Sequence, residues 1–161
     1  MKGKVIVIYG YGKGKTTAAV GNAIRLVGDG KTVNIIQFLK GNREEAVLSV
    51  LEKLEPEMKV FRFERHTEKF NDLNDEQKQE ELLNIRNGLN FAKKVLATES
   101  ADVLVLDEVL GLVDRGIMES EELCQMIKSK PEEMDLIITG RVLNDDVRAL
   151  ADSITKLETE K

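Results

Sequence analysis

Val5-Ile-Val-Ile-Tyr-Gly10-Tyr-Gly-Lys-Gly-Lys15-Thr-Thr17 joins two patterns end to end. Val5–Ile8 is a continuous β-branched run, the pattern of a strand buried on both faces of a parallel sheet. From Lys15 to Val27 alanines and aliphatics recur at helical spacing (Ala19, Ala23, Ile24, Val27), and Gly28-Asp29-Gly30 supplies the stop. A glycine-rich turn between a strand and a helix, ending Gly-Lys-Thr, is the context of a phosphate-cradling P-loop. Glycines there let successive backbone N–H groups turn toward phosphate oxygens, and the helix N-terminus adds partial positive charge. Lys15 reaches the phosphates, Lys13 is a second cation beside them, and the Thr16 hydroxyl is a ligand for Mg²⁺. Gly10, Tyr11, Gly12, Lys13, Gly14, Lys15, Thr16 and Thr17 are therefore the expected nucleotide-binding residues, with Lys15 and Lys13 the charges beside the phosphates. The usual pattern places its first glycine at position 9, which is Tyr9, so the loop is a variant.

Outward from this unit, further strands are predicted at Val33–Leu39, Val60–Phe63, Val103–Leu106 and Leu136–Thr139, with a last edge strand at Ser153–Leu157. Between them lie helical patterns. The clearest starts at Asn74, an N-cap with Gln77 three residues on, and carries Leu82, Ile85, Leu89, Ala92 and Leu96 on one stripe. Asp145–Ala151 is a second, shorter one. Strands alternating with helices predict an α/β fold of P-loop NTPase type: a mostly parallel central sheet of about five or six strands with helices on both faces. Only two prolines occur, and no linker or fixed-period repeat appears, so residues 1–161 are expected to form a single nucleotide-binding domain.

Composition excludes several classes. Hydrophobic residues at 42% and charged residues at 33% argue against a disordered or low-complexity chain. A net charge of −5 leaves no global positive field to recruit nucleic acid or anionic lipid. The single cysteine, Cys124, rules out an intramolecular disulfide framework; among Leu123, Met126 and Ile127 it reads as a core thiol. Apolar runs far shorter than the ~20 residues of a membrane span, and no signal-peptide cleavage region after Met1, lead to the expectation of a soluble, cytoplasmic protein.

Val103-Leu-Val-Leu-Asp107-Glu108 is an apolar strand ending in two carboxylates, where P-loop folds hold the metal or its water shell. Strand alternation would point the two acids in different directions, one contacting Mg²⁺ and the other acting through water or a neighbour. Ile137-Ile-Thr-Gly-Arg141 ends another strand on the same edge, so Arg141 is placed to reach a polyphosphate. Arg25, on the helix after the loop, is a further candidate for nucleotide contact. Arg65–Asn74 is an irregular polar stretch that can border a site; His66, the one histidine, has no identifiable partner there.

Taken together, Gly10-Tyr-Gly-Lys-Gly-Lys-Thr-Thr-Ala-Ala19, Ile36-Gln-Phe-Leu-Lys-Gly41, Val105-Leu-Asp-Glu108 and Ile137-Ile-Thr-Gly-Arg141 resemble the P-loop type corrinoid adenosyltransferases, from Val5 to about Leu157. That family shares the loop variant lacking the first glycine. The resemblance implies transfer of the 5′-deoxyadenosyl group of ATP to the cobalt of a cob(I) corrinoid, with tripolyphosphate leaving intact. It also implies ATP contacts from Gly12–Thr17, Arg25 and Arg141, Thr16 and Glu108 near Mg²⁺, a homodimer, and an electron-donating reductase such as a flavoprotein. The family's Phe and Trp in the loop after the third strand border the corrin ring; this chain has no Trp, and Phe70 is the nearest aromatic. The family's N-terminal extension and its basic, aromatic segment after the last strand have no counterpart in the sequence, so part of the corrin cover is expected to be missing. On the residues alone two alternatives stay open: an ATP hydrolase in which Glu108 polarises water, and an ATP-sensing regulatory module.

Overall fold

The computed structural model describes residues 2–40 and 46–161, with the backbone alone for 46–48. Gly41, the last residue of the second quoted motif, lies outside the described residues. Six strands, β1 (Val5–Tyr9), β2 (Val33–Gln37), β3 (Met58–Arg62), β4 (Val103–Asp107), β5 (Asp135–Gly140) and β6 (Ser153–Lys156), form one parallel sheet in the order β3-β2-β4-β5-β1-β6. Among the described residues six α-helices accompany them: α1 (Lys15–Gly28), α2 (Ala46–Leu51), α3 (Asp75–Thr98), α4 (Val109–Asp114), α5 (Ser120–Lys128) and α6 (Asp145–Arg148).

Alternation along the strands builds a core on each face of the sheet. Val7, Ile36, Leu104, Leu106, Leu136 and Ile138 pack with α3, α4 and α5, while Ile8, Ile35, Val103, Val105 and Ile137 pack with α1. All positions of β4 and β5 are buried and all of β6 are exposed, which fixes the first two as central and the last as an edge. α3 starts at the predicted capping box: the Gln77 N–H donates to Asn74 Oδ1 and the Asn74 N–H to Gln77 Oε1. Its buried stripe includes Gly88, where a Cβ would come within 3.0 Å of Phe38 and 3.2 Å of Phe63. The stripe also carries Glu81, 2% exposed, a charge that apolar periodicity does not foresee.

Several boundaries differ from expectation for backbone reasons. The predicted strand Val33–Leu39 ends at Gln37 because Leu39 takes a left-handed φ of 61°. The third strand is shifted to Met58–Arg62, where it pairs with β2 from Val33 to Gln37. The helix at Asp145 stops at Arg148, and α2 was not foreseen.

Candidate active site

Every strand of a parallel sheet ends on one edge, and here that edge gathers the polar ends of β1, β2, β4 and β5 around the start of α1. β5 lies between β1 and β4, so its terminal Thr139 stands beside Asp107 at the end of β4. Asp107 is 1% exposed, yet its carboxylate is fully engaged. Thr139 Oγ1 donates to it at 2.7 Å, Gln37 Nε2 from β2 at 3.2 Å, and the Thr16 hydroxyl lies 3.0 and 3.1 Å from its two oxygens. Arg62, at the end of β3, donates from Nε to Gln37 Oε1 at 2.7 Å, extending the chain to the opposite edge. A buried carboxylate held by donors from three elements keeps its orientation, because leaving any lone pair unmet in the interior is costly.

Lys40 completes this group and was not singled out by the sequence as a site residue. Its Nζ donates to Thr16 Oγ1 at 3.2 Å and lies 3.9 Å from Asp107. The signal was available: Phe38 through Lys40 directly follow β2, the strand next to Asp107's own.

The loop itself departs from the simple picture of amides all turned to phosphate. Tyr9 remains the last residue of β1, with Arg148 over its ring at 5.5 Å, and the loop takes its positive φ at Gly10, 124°, and Gly14, 100°. The Gly12 N–H donates to Leu157 O at 3.0 Å and the Lys13 N–H to Thr159 Oγ1 at 2.9 Å, so the segment after β6 runs across the loop. A Cβ at Gly10 would lie 2.3 Å from Leu157 O, and one at Gly12 2.7 Å from the same carbonyl. These two glycines therefore make room for the chain's own backbone. Lys15, Thr16 and Thr17, in the first turn of α1 where a helix leaves amides without intrahelical acceptors, line the cavity beside the loop. Lys15 Nζ donates to Gly12 O at 3.1 Å.

Asp107 and Glu108 are separated by a turn, not by strand alternation as expected. β4 ends at Asp107, and Glu108 at φ 65° is the left-handed residue that starts α4, its N–H donating to Thr139 Oγ1 at 2.8 Å. Asp107 lies beneath Thr16, and Glu108 faces the loop cavity of about 600 Å³ lined by residues 11–17, Lys40, Glu108 and Arg141. Arg141 follows Gly140, where any Cβ would strike Leu110 of α4 at 2.3 Å, so the glycine lets α4 pass over the end of β5. Three lysines and an arginine thus line the loop cavity, against the Glu108 carboxylate in its wall and the Asp107 carboxylate beneath Thr16. Among the described residues no cluster of three or more His, Cys, Asp or Glu forms a metal cage. The hydroxyl and carboxylate oxygens of Thr16, Asp107 and Glu108 nonetheless suit Mg²⁺, which keeps several waters and needs few protein ligands.

A second cavity of about 350 Å³ shares Lys40 and Arg141 with the first and is bordered by Leu39, Glu64, Phe70 and Arg115. Phe70, in a short 3₁₀ turn over Phe70–Asp72 within the predicted loop, thus lines the cavity that adjoins the loop cavity. Glu64, 6% exposed, accepts from the Leu39 N–H at 2.7 Å; burial first, and the nearby Glu81 carboxyl, push its acid up to about 7. Arg25 is not brought to either cavity. Its guanidinium stands exposed 3.8 Å from Asp29, one turn farther along α1. His66 lies 3.0 Å from Glu80, a loop-to-helix contact, and burial raises the Cys124 thiol, in keeping with a core position.

Fold and site together define a P-loop α/β nucleotide-binding protein. The structure resembles that of a KaiC-like protein from Pyrococcus horikoshii, with a TM-score of 0.65, 15% identity and coverage of 99% of this chain and 74% of that one, a likeness of fold. The family profile of the ATP:corrinoid adenosyltransferases BtuR/CobO/CobP matches residues 1–161. The corrinoid adenosyltransferase of Escherichia coli K12 is 35% identical over 99% of this chain and 79% of its own length. The corrinoid adenosyltransferase CobA of Salmonella typhimurium LT2 is 33% identical with the same coverage. The chain belongs to the ATP:corrinoid adenosyltransferase family.

Proposed function

We propose that the loop cavity holds the triphosphate of ATP against the first turn of α1, and that the adjoining cavity bordered by Phe70 receives the corrinoid. As a family member the protein is a transferase acting on ATP and a corrinoid. What supports the assignment of the two cavities is a single observation: Lys13, Lys15, Lys40 and Arg141 converge on one cavity, and two of them, Lys40 and Arg141, also line the next. In the step that follows, the electron pair of the cob(I) substrate attacks the ribose 5′ carbon, the new Co–C bond forms, and the C5′–O bond to the α-phosphate breaks. The bonding pair leaves with tripolyphosphate. Cob(I) is itself a strong nucleophile, so the protein needs no general base. Its work is alignment, exclusion of water, and stabilisation of charge accumulating on the departing phosphates.

Lys15, Lys13, Lys40 and the α1 amides carry that charge, with Arg141 at the junction of the cavities. Thr16, Asp107 and Glu108 would hold Mg²⁺, which when bound neutralises phosphate oxygens. The Asp107 network keeps Thr16 turned toward that position. Phe70 would lie against the corrin face. A homodimer and an external reductase delivering the electron belong to the same reading, as does a reducing cytoplasm. Phosphorus NMR after incubation with ATP, Mg²⁺ and a chemically reduced corrinoid tests it. Tripolyphosphate should appear only when the corrinoid is present; ADP and orthophosphate as first products, with or without corrinoid, would make the protein a hydrolase.

A further inference from the structure

We propose that Glu64 is a positioning residue of the phosphate site, holding the Leu39 amide and, through that turn, fixing Lys40 against Thr16 and Asp107. The proposal rests on the reading that Lys40 contacts the phosphates of ATP. Between β2 and Lys40 the backbone passes through Leu39 in the left-handed region, φ 61°, which a residue with a Cβ adopts only when its surroundings hold it there. Three contacts do so. The Phe38 N–H donates to Asp107 O at 2.9 Å, tying the residue before the turn to β4. The Leu39 side chain lies over Gly111 of α4, where a Cβ would come within 2.8 Å of its Cδ1. The Leu39 N–H donates to Glu64 Oε1 at 2.7 Å, a bond that reaches across 25 residues to the chain just beyond β3. Glu64 is the one partner that holds the turn with its side chain, and the next residue after the turn is Lys40, whose Nζ reaches Thr16 Oγ1.

The charged groups around Glu64 are Arg62 at the end of β3, Glu81 on α3 and Arg115 after α4, with Lys40, Glu68, Lys69 and Arg141 lining the same cavity. The carboxyl oxygen accepts from Leu39 whether the acid is ionised or protonated. Glutamine offers the same acceptor in the same shape, whereas alanine offers none and methionine only a weakly accepting thioether sulfur.

The experiment is a double-mutant cycle on MgATP affinity, measured by calorimetry on the full chain without corrinoid, for wild type, Lys40→Ala, Glu64→Ala, Glu64→Gln and the Glu64→Ala/Lys40→Ala pair. Lys40→Ala should weaken binding roughly tenfold, and Glu64→Ala by a similar factor. Glu64→Gln should stay within about twofold of wild type, and the double variant should bind no more weakly than Lys40→Ala. If Glu64→Ala does not fold, Glu64→Met takes its place. Hydrogen exchange at the Leu39 amide should accelerate in the acceptor-free variant and stay slow in Glu64→Gln. Multiplying effects in the double variant, Glu64→Gln as weak as Glu64→Ala, or an unchanged Leu39 amide would each overturn the proposal while leaving the phosphate reading intact. An unchanged affinity in Lys40→Ala would overturn that reading and this proposal with it.

Discussion

At the scale of single residues, the loop's glycines do two different jobs. Gly14, at φ 100° with open space around it, serves conformation, whereas Gly12 serves the approach of the segment after β6. Gly12→Ala is expected to push Leu157 and Glu158 away and to break the Gly12 N–H to Leu157 bond. A loss on the order of 1–3 kcal/mol should show in urea unfolding, as overpacking against backbone usually gives. A titrating effect is expected at Glu64. Its acid rises from the ordinary 4.5 to about 7 in the folded protein. The folded state then binds more protons than the unfolded one, so stability falls as pH rises from about 4.5 to about 7 and levels off above. Glu64→Gln removes this dependence, and its stability relative to wild type should therefore grow between pH 5 and pH 8, with an upper bound on the order of 3 kcal/mol. A gap that stays constant across that range in urea titrations would contradict the shift. Neither effect is visible in sequence: a glycine in a phosphate loop and a glutamate after a strand look ordinary until the packed neighbours are known.

At the scale of elements, the start of α3 and most of its apolar stripe were legible, but its end at Thr98 and its buried Glu81 were not. Asn74 and Gln77 announce its start, and the apolar stripe names its buried face, because helix periodicity and capping are local properties. The segment before it was legible only as irregular. That Phe70 turns toward the cavity shared with Lys40 and Arg141 is decided by β3, α3 and α4 together. Phe70→Ala is expected to slow adenosylation starting from a cob(II) corrinoid roughly tenfold, about 1.4 kcal/mol of barrier, with MgATP affinity unchanged. An aromatic face beside the metal would favour the four-coordinate cob(II) form, which is more easily reduced. Wild-type rates combined with a lowered melting temperature would instead make Phe70 a packing residue. Between helices, Arg86 and Lys93 of α3 both donate to Glu122 of α5, and those bonds hold its carboxyl below the usual carboxylate range. The pairs are partly exposed, so they orient α5 more than they stabilise it.

At the scale of the whole molecule, the strand order does what no single element does. Placing β5 between β1 and β4 sets Thr139 where it bonds both Asp107 and the Glu108 amide, and placing β2 beside β4 brings Gln37 and Lys40 to the same point. No helix among the described residues is long and apolar enough to cross a membrane. Sedimentation velocity of the full chain is expected to give twice the mass of one chain, as the family resemblance implies; a particle of single mass that transfers adenosyl groups at full rate would show that one chain carries a complete site.

Sequence alone determined the parallel α/β sheet, the loop with Lys15 and Thr16, the acids ending β4 and the arginine after β5, because each depends on a short pattern whose physics is local: β-branched runs, helical spacing, glycine before a helix N-terminus. Tertiary structure alone decided that Lys40 joins Thr16 and Asp107, that Arg25 stands away from them, that Glu108 leaves the strand in a left-handed turn, and that Glu64 and Glu81 are buried. Those outcomes depend on which strand lies beside which and on which side chain fills the space between them. Contacts such as Glu64 to Leu39 and Thr16 to Asp107 join residues far apart in the chain, so no window of sequence contains both partners.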